Sequence, residues 1–123
     1  MDKDMKILIV DDEENARIGL SKLLSQEGYQ VSAVGNGNEA LDFLGKEQVS
    51  LVITDINMPD INGLEVVRFV KQSENFKHIP VIIVTTEGRD VDKERGLRLG
   101  ADKYLVKPFQ PAQLQQFVQE LLG

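Results

Sequence analysis

The run Leu51-Val52-Ile53-Thr54-Asp55-Ile56-Asn57-Met58-Pro59 changes character halfway along. Its first four residues are apolar or β-branched and predict a short strand buried on both faces of a sheet, and the strand stops at a carboxylate, Asp55. Pro59 fixes its own φ and drives Met58 out of the helical region, so the chain stays extended or turns until a helix starts at Asn62-Gly63. Asp55 is thereby placed at the C-terminal end of a strand, facing a loop. In an open parallel sheet that edge is where ligands bind.

Outward from this run, the same strand-then-helix unit recurs on both sides. Lys6–Val10 reads as a buried strand, followed by a helix of about 14 residues whose Ala16, Leu20, Leu23 and Leu24 share one face and which Gly28 closes. Tyr29–Val34 predicts a second strand, and Gly35-Asn36-Gly37 turns into a helix carrying Ala40, Leu41 and Leu44 that is expected to break at Gly45. The helix after Asp55 spans about Gly63 to Gln72 and is expected to bury Leu64, Val67 and Val70. Pro80–Val84 reads as a fourth strand, with a polar helix from about Arg89 to Leu99 stopping at Gly100. Lys103–Val106 is a short fifth strand, and Leu114, Phe117, Val118 and Leu121 draw one face of a closing helix. Five such units imply right-handed crossovers and a parallel sheet covered on both faces, in too few strands to close a barrel. The expected fold is α/β: an open, doubly wound, five-stranded parallel sheet of flavodoxin type, strand order 2-1-3-4-5, forming a single domain over residues 1–123.

Composition narrows the partners. At 123 residues, with 41% hydrophobic and 28% charged residues, the chain has the makeup of one soluble globular domain. A formal net charge of −6 repels nucleic acid and anionic membrane, so neither is an expected partner. The absence of cysteine rules out disulfides and thiolate metal sites. The charged Met1-Asp2-Lys3-Asp4 segment and the short apolar run Ile7–Val10 make neither a signal peptide nor a membrane span. A cytoplasmic location is the expectation.

The polar residues at the strand ends carry the chemistry. The first strand ends in Asp11-Asp12, the third in Asp55, the fourth in Thr85-Thr86 and the fifth in Lys107-Pro108. In the expected strand order Asp11, Asp12 and Asp55 converge, and three carboxylates about 5 Å apart repel by roughly 3 kcal/mol per pair at an effective dielectric of 20. Such a cluster calls for a cation. Oxygen ligands, few of them and on a partly open edge, suit Mg²⁺, and Lys107 with the Thr85 hydroxyl completes a pocket for a tetrahedral anion. Taken singly, each residue has a plainer reading: Asp11-Asp12-Glu13-Glu14 as an acidic helix start, Asp55 as a turn cap, Thr85 as a satisfied strand hydroxyl, Lys107 as a surface charge. Together they would have to reach one sheet edge from four strands by coincidence.

With Asp11-Asp12, Asp55-Ile56-Asn57-Met58-Pro59, Asn62-Gly63, Thr85 and Lys107-Pro108-Phe109 in hand, the chain resembles a CheY-like response-regulator receiver domain of two-component signalling, from Lys6 to Leu122. The resemblance implies that Asp55 is the phosphoacceptor, taking its group from a sensor histidine kinase or phosphotransfer protein. It implies further that Asp12, Asp55 and the main-chain carbonyl of Asn57 hold Mg²⁺, with Mn²⁺ able to substitute, and that Asp11 acts largely through water. Lys107 and Thr85 would contact the phosphoryl oxygens, Tyr104 would swing inward as the switch, and the Lys107–Pro108 bond would be cis. Asn57 and Glu87 would flank the path of a hydrolytic water, giving a phosphoryl lifetime of minutes or less. On this view the domain catalyses its own phosphorylation and dephosphorylation without being an enzyme that turns over a substrate.

The output surface implied is the fourth helix, fifth strand and last helix, through which a downstream protein or output domain would be controlled. The fourth helix carries Val91, Leu97 and Leu99 among seven charged residues from Arg89 to Arg98, so it is expected to be thinly anchored. Lys103, after Asp102, departs from the acidic position through which winged-helix regulators pair. His78 reads as a surface residue. Rival classes fit less well. Val10-Asp11-Asp12-Glu13-Glu14-Asn15 would repel a pyrophosphate, which disfavours a dinucleotide-binding domain, and no P-loop is present. A metal-dependent aspartyl phosphatase would place Asp-x-Asp after the first strand, where this chain has adjacent aspartates. A stand-alone regulator and a receiver belonging to a longer protein both fit.

Overall fold

The computed structural model describes residues 4–123; Met1, Asp2 and Lys3, read above as part of a charged start, lie outside the described residues. Five strands and five helices alternate: β1 (Lys6–Val10), α1 (Glu14–Gln26), β2 (Gln30–Val34), α2 (Gly37–Lys46), β3 (Leu51–Thr54), α3 (Gly63–Gln72), β4 (Val81–Thr85), α4 (Asp90–Arg98), β5 (Lys103–Val106) and α5 (Pro111–Leu122). All pairings are parallel, in the order β2-β1-β3-β4-β5. The expected topology is the observed one.

The period of two along each strand sorts the core into two layers. Ile7, Ile9, Leu51, Ile53, Ile82, Val84 and Leu105 meet Leu20 and Leu24 of α1 and Leu114 and Val118 of α5 on one face. Leu8, Val10, Val52, Val81, Ile83 and Tyr104 meet Ala40 and Leu44 of α2 and Val66, Val67 and Val70 of α3 on the other. Because the central strands are covered on both sides, their sequences are continuously apolar. No helix among the described residues is long and apolar enough to cross a membrane.

Several boundaries differ from the sequence reading. α2 runs through Gly45 to Lys46, since Gly45 is exposed at the helix surface and its flexibility costs only about 1 kcal/mol there. In α3 it is Val66 that is fully buried with Val67 and Val70, while Leu64 only packs against the edge of the core. β4 begins one residue late, at Val81, and extends to Thr85. α4 is the largest departure: Val91 and Leu97 face solvent, 55% and 41% exposed, and the buried positions are Asp92 and Gly96. Gly96 lets the helix close on the sheet, because a Cβ there would lie 2.7 Å from Ile83 Cδ1 and 3.4 Å from the Tyr104 ring.

Candidate functional site

Sheet register builds the site. Val10 pairs with Thr54, so Asp11 and Asp55 are the first residues beyond the last pair of β1 and β3, and the Asp55 amide still donates to the Val10 carbonyl at 3.0 Å. Thr85 pairs with Val106, so Lys107 is the first residue beyond that pair, and its amide donates to the Thr85 carbonyl at 2.7 Å. Four strand ends thereby deliver their polar residues to one edge.

Asp11, Asp12 and Asp55 each offer a carboxylate oxygen, and these oxygens lie within 4.8 Å of one another. Asp11 is fully buried, Asp55 half-buried and Asp12 exposed. The Lys107 ammonium sits between two of them, donating to Asp11 Oδ2 at 2.8 Å and to Asp55 Oδ2 at 3.2 Å. Burial by itself pulls the Lys107 ammonium toward deprotonation, and the neighbouring Asp11 and Asp55 carboxylates outweigh it and push its pKa up. Asp11 Oδ1 accepts the Glu13 amide at 3.0 Å, and Asp55 Oδ1 accepts the Ile56 amide at 2.6 Å. The Lys107–Pro108 peptide is cis, as the resemblance implies.

The loop after Asp55 is held from both sides. Ile56 and Met58 are buried, a pair of apolar anchors that the sequence reading passed over although their spacing of two signals it. Asn62 caps α3 by accepting the Glu65 amide at 3.0 Å, while Glu65 Oε1 accepts the Asn62 amide at 3.0 Å. Gly63 packs against the backbone of Asp55 itself: a Cβ would stand 1.7 Å from the Asp55 carbonyl oxygen. Asn57 is exposed at the rim.

On the α4 side, Thr85 is buried and its Oγ1 accepts the Glu87 amide at 3.3 Å. Tyr104 lies inward, 7% exposed, and its hydroxyl donates to the Glu87 carbonyl at 2.5 Å. The Glu87 backbone is therefore gripped at both ends, by Thr85 and by Tyr104. Burial first, and then the charges of Asp92, Glu87 and Asp55, push the Tyr104 hydroxyl up to about 12. Asp92 is tied to Arg89 at 2.9 Å, a buried acid that the charge pattern of α4 gave no means of distinguishing from its solvated neighbours. Asp102 and Lys103 have structural partners: Asp102 Oδ2 accepts the Val81 amide at 2.8 Å and Lys71 Nζ at 3.0 Å, and Lys103 pairs with Glu120 at 2.7 Å. His78 is exposed, away from the strand ends that carry the carboxylates.

A parallel sheet whose carboxyl edge gathers three acids, a shared ammonium and a buried hydroxyl makes an α/β domain with a candidate cation site where such sheets bind ligands. Residues 7–119 match the family model described as the response regulator receiver domain. The chain is 40% identical over 121 residues to a chemotaxis protein CheY homolog of Campylobacter jejuni, covering 97% of this chain and 93% of that one. Among solved structures, the Vibrio cholerae chemotaxis protein CheY4 superposes with a TM-score of 0.90 at 36% identity, over 97% of this chain and 99% of that one. The Thermotoga maritima response regulator TrrA, in complex with Mg²⁺-BeF, superposes with a TM-score of 0.86 at 36% identity, covering 96% and 99%. The chain belongs to the response-regulator receiver family, the CheY-like signalling domains of two-component systems.

Proposed function

We propose that this chain is a phosphorylation-driven switch in which Asp55 accepts a phosphoryl group from the phosphohistidine of a sensor histidine kinase or phosphotransfer protein in the cytoplasm. The observation that carries this is the shared Lys107 ammonium: it fixes Asp55 Oδ2 and Asp11 Oδ2 beside Asp12, with all three carboxylates in reach of one cation. An Asp55 oxygen attacks phosphorus in line, the N–P bond breaks, and its electron pair returns to the imidazole nitrogen. Lys107 and the Thr85 hydroxyl hold the transferred oxygens.

The all-oxygen donor set fits Mg²⁺ or Mn²⁺, with Asp12, Asp55 and the Asn57 carbonyl as ligands and Asp11 acting through water. When bound, the ion neutralises the carboxylates and the equatorial charge of the phosphoryl group. The aspartyl phosphate adds nearly two negative charges and three acceptor oxygens to which the Thr85 hydroxyl can donate. That favours the inward Tyr104 ring and moves the surface of α4, β5 and α5 toward the form a downstream protein or output domain recognises. Neither nucleic acid nor membrane is a direct partner of an acidic domain of this kind.

Intact mass after incubation with acetyl phosphate and Mg²⁺ tests this directly. A gain of about 80 Da that disappears in Asp55→Asn and with a chelator is expected. A gain that survives Asp55→Asn would place the acceptor elsewhere, and Asp11-dependent turnover of a small phosphate ester would favour the phosphatase reading instead.

A further inference from the structure

Arg17, on the first turns of α1, reaches back over the β1–α1 loop, and its guanidinium donates from Nη1 to the main-chain carbonyl of Asp11 at 2.7 Å. The carbonyl it holds belongs to the peptide plane that joins Asp11 to Asp12. Fixing a carbonyl fixes that plane, and the plane sets the direction in which the Cα of the next residue projects its side chain. Asp12 is exposed, whereas Asp11 is held by its own amide to Val34, by Oδ1 to the Glu13 amide and by Oδ2 to Lys107. The Arg17 bond thus extends the restraint on Asp11 to the one member of the acidic cluster that solvent would otherwise leave to rotate. Gly35 lies close beside the guanidinium: a Cβ there would stand 3.3 Å from Arg17 Nη1, a tight contact.

We propose that Arg17 is a positioning residue for the cation site, aiming the Asp12 carboxylate at the ion by holding the Asp11–Asp12 peptide plane. This rests on the reading of Asp12 as a cation ligand. It makes a prediction opposite in sign to that of charge alone. A cationic guanidinium beside the site repels a divalent ion, so removing it should tighten binding if electrostatics were its whole effect. Removing the restraint on Asp12 should weaken it.

The test is calorimetric titration with MgCl₂ of the wild type, Arg17→Met, which keeps the apolar stem, and Arg17→Lys, which keeps a cationic donor, each also in an Asp12→Asn background. Thermal melts in chelator run alongside to establish that each variant is folded. The expected result is about three- to tenfold weaker Mg²⁺ binding in Arg17→Met, the scale of one lost hydrogen bond of ordinary net strength. Arg17→Lys should recover most of it, and the Arg17→Met effect should fall below about twofold once Asp12 is Asn. Binding unchanged or tightened in Arg17→Met would overturn the role of Arg17 while leaving the metal site standing. Weakening that persists in full in the Asp12→Asn background would assign Arg17 a general structural part and overturn it equally. A wild type that binds no Mg²⁺ would overturn the site itself, and this role with it.

Discussion

At the scale of single residues, the site works by forcing like charges together and then supplying their complement. Lys107 is shared between Asp11 and Asp55, so one ammonium faces three carboxylates and a formal excess of negative charge remains at this edge, with Asp12 open to solvent. Tyr104 gives a separate handle on the same region. Its hydroxyl is held up to about 12 against an ordinary value of 10.0, so the fold favours the neutral phenol. A pKa raised on folding contributes stability that is fully present below pH 10.0 and is lost as pH rises through about 12. Denaturant melts across that window should show a decline that Tyr104→Phe reduces, the hydroxyl of Tyr29 being pushed up by burial as well, and ultraviolet titration should resolve Tyr104 as the later of the two tyrosines to ionise. Glu87 governs a different property. Its backbone is gripped by Thr85 and Tyr104; on the proposed function its carboxylate would orient a hydrolytic water, and Glu87→Ala should then lengthen the aspartyl-phosphate lifetime by about tenfold from minutes or less. Phos-tag gels over a time course would read it; a wild-type half-life of many hours in Mg²⁺ buffer would contradict the assignment.

At the scale of elements, the loop between β3 and α3 and the seat of α4 are where close approach matters most. Gly63 leaves no space for a methyl group against the Asp55 carbonyl. Gly63→Ala must therefore move either the start of α3 or Asp55, at a cost of about 3 kcal/mol by the usual scale of overpacking. Urea unfolding should show the loss, and the acetyl-phosphate mass shift should slow in the fraction that remains folded. α4 presents its apolar Val91 and Leu97 outward and seats itself on Gly96 and Asp92, so few buried contacts resist its movement. An element held this lightly beside Tyr104 suits a surface that changes with phosphorylation.

At the scale of the whole molecule, the acidic edge links cation binding to stability. Any ligand that binds only the folded form raises the melting temperature by mass action, about 2.7 kcal/mol at a hundred times its dissociation constant. Mg²⁺ should therefore raise the thermal midpoint of the wild type in a concentration-dependent way. Asp12→Asn should invert the comparison: a midpoint about 2–5 °C above wild type in chelator, because one of three repelling charges is gone, with little further rise on adding Mg²⁺. Differential scanning calorimetry with and without chelator measures both arms.

The sequence by itself determined the strand count, the parallel topology and the residues that meet at the carboxyl edge, because buried parallel strands must be continuously apolar and the first polar residue after each marks its end. Asp11, Asp55, Thr85 and Lys107 were legible for that reason, and Val10 paired with Thr54 and Thr85 paired with Val106 place them where they were expected. Tertiary structure alone decided what depends on distance between elements. The burial of Asp92 under a helix whose apolar residues face out, the inward seat of Tyr104 on the Glu87 carbonyl, the contact of Gly63 with Asp55 and the reach of Arg17 to the Asp11 carbonyl leave no periodic trace. A hydrophobic pattern records which face of an element is covered; it does not record how closely two backbones approach or which carbonyl a long side chain finds.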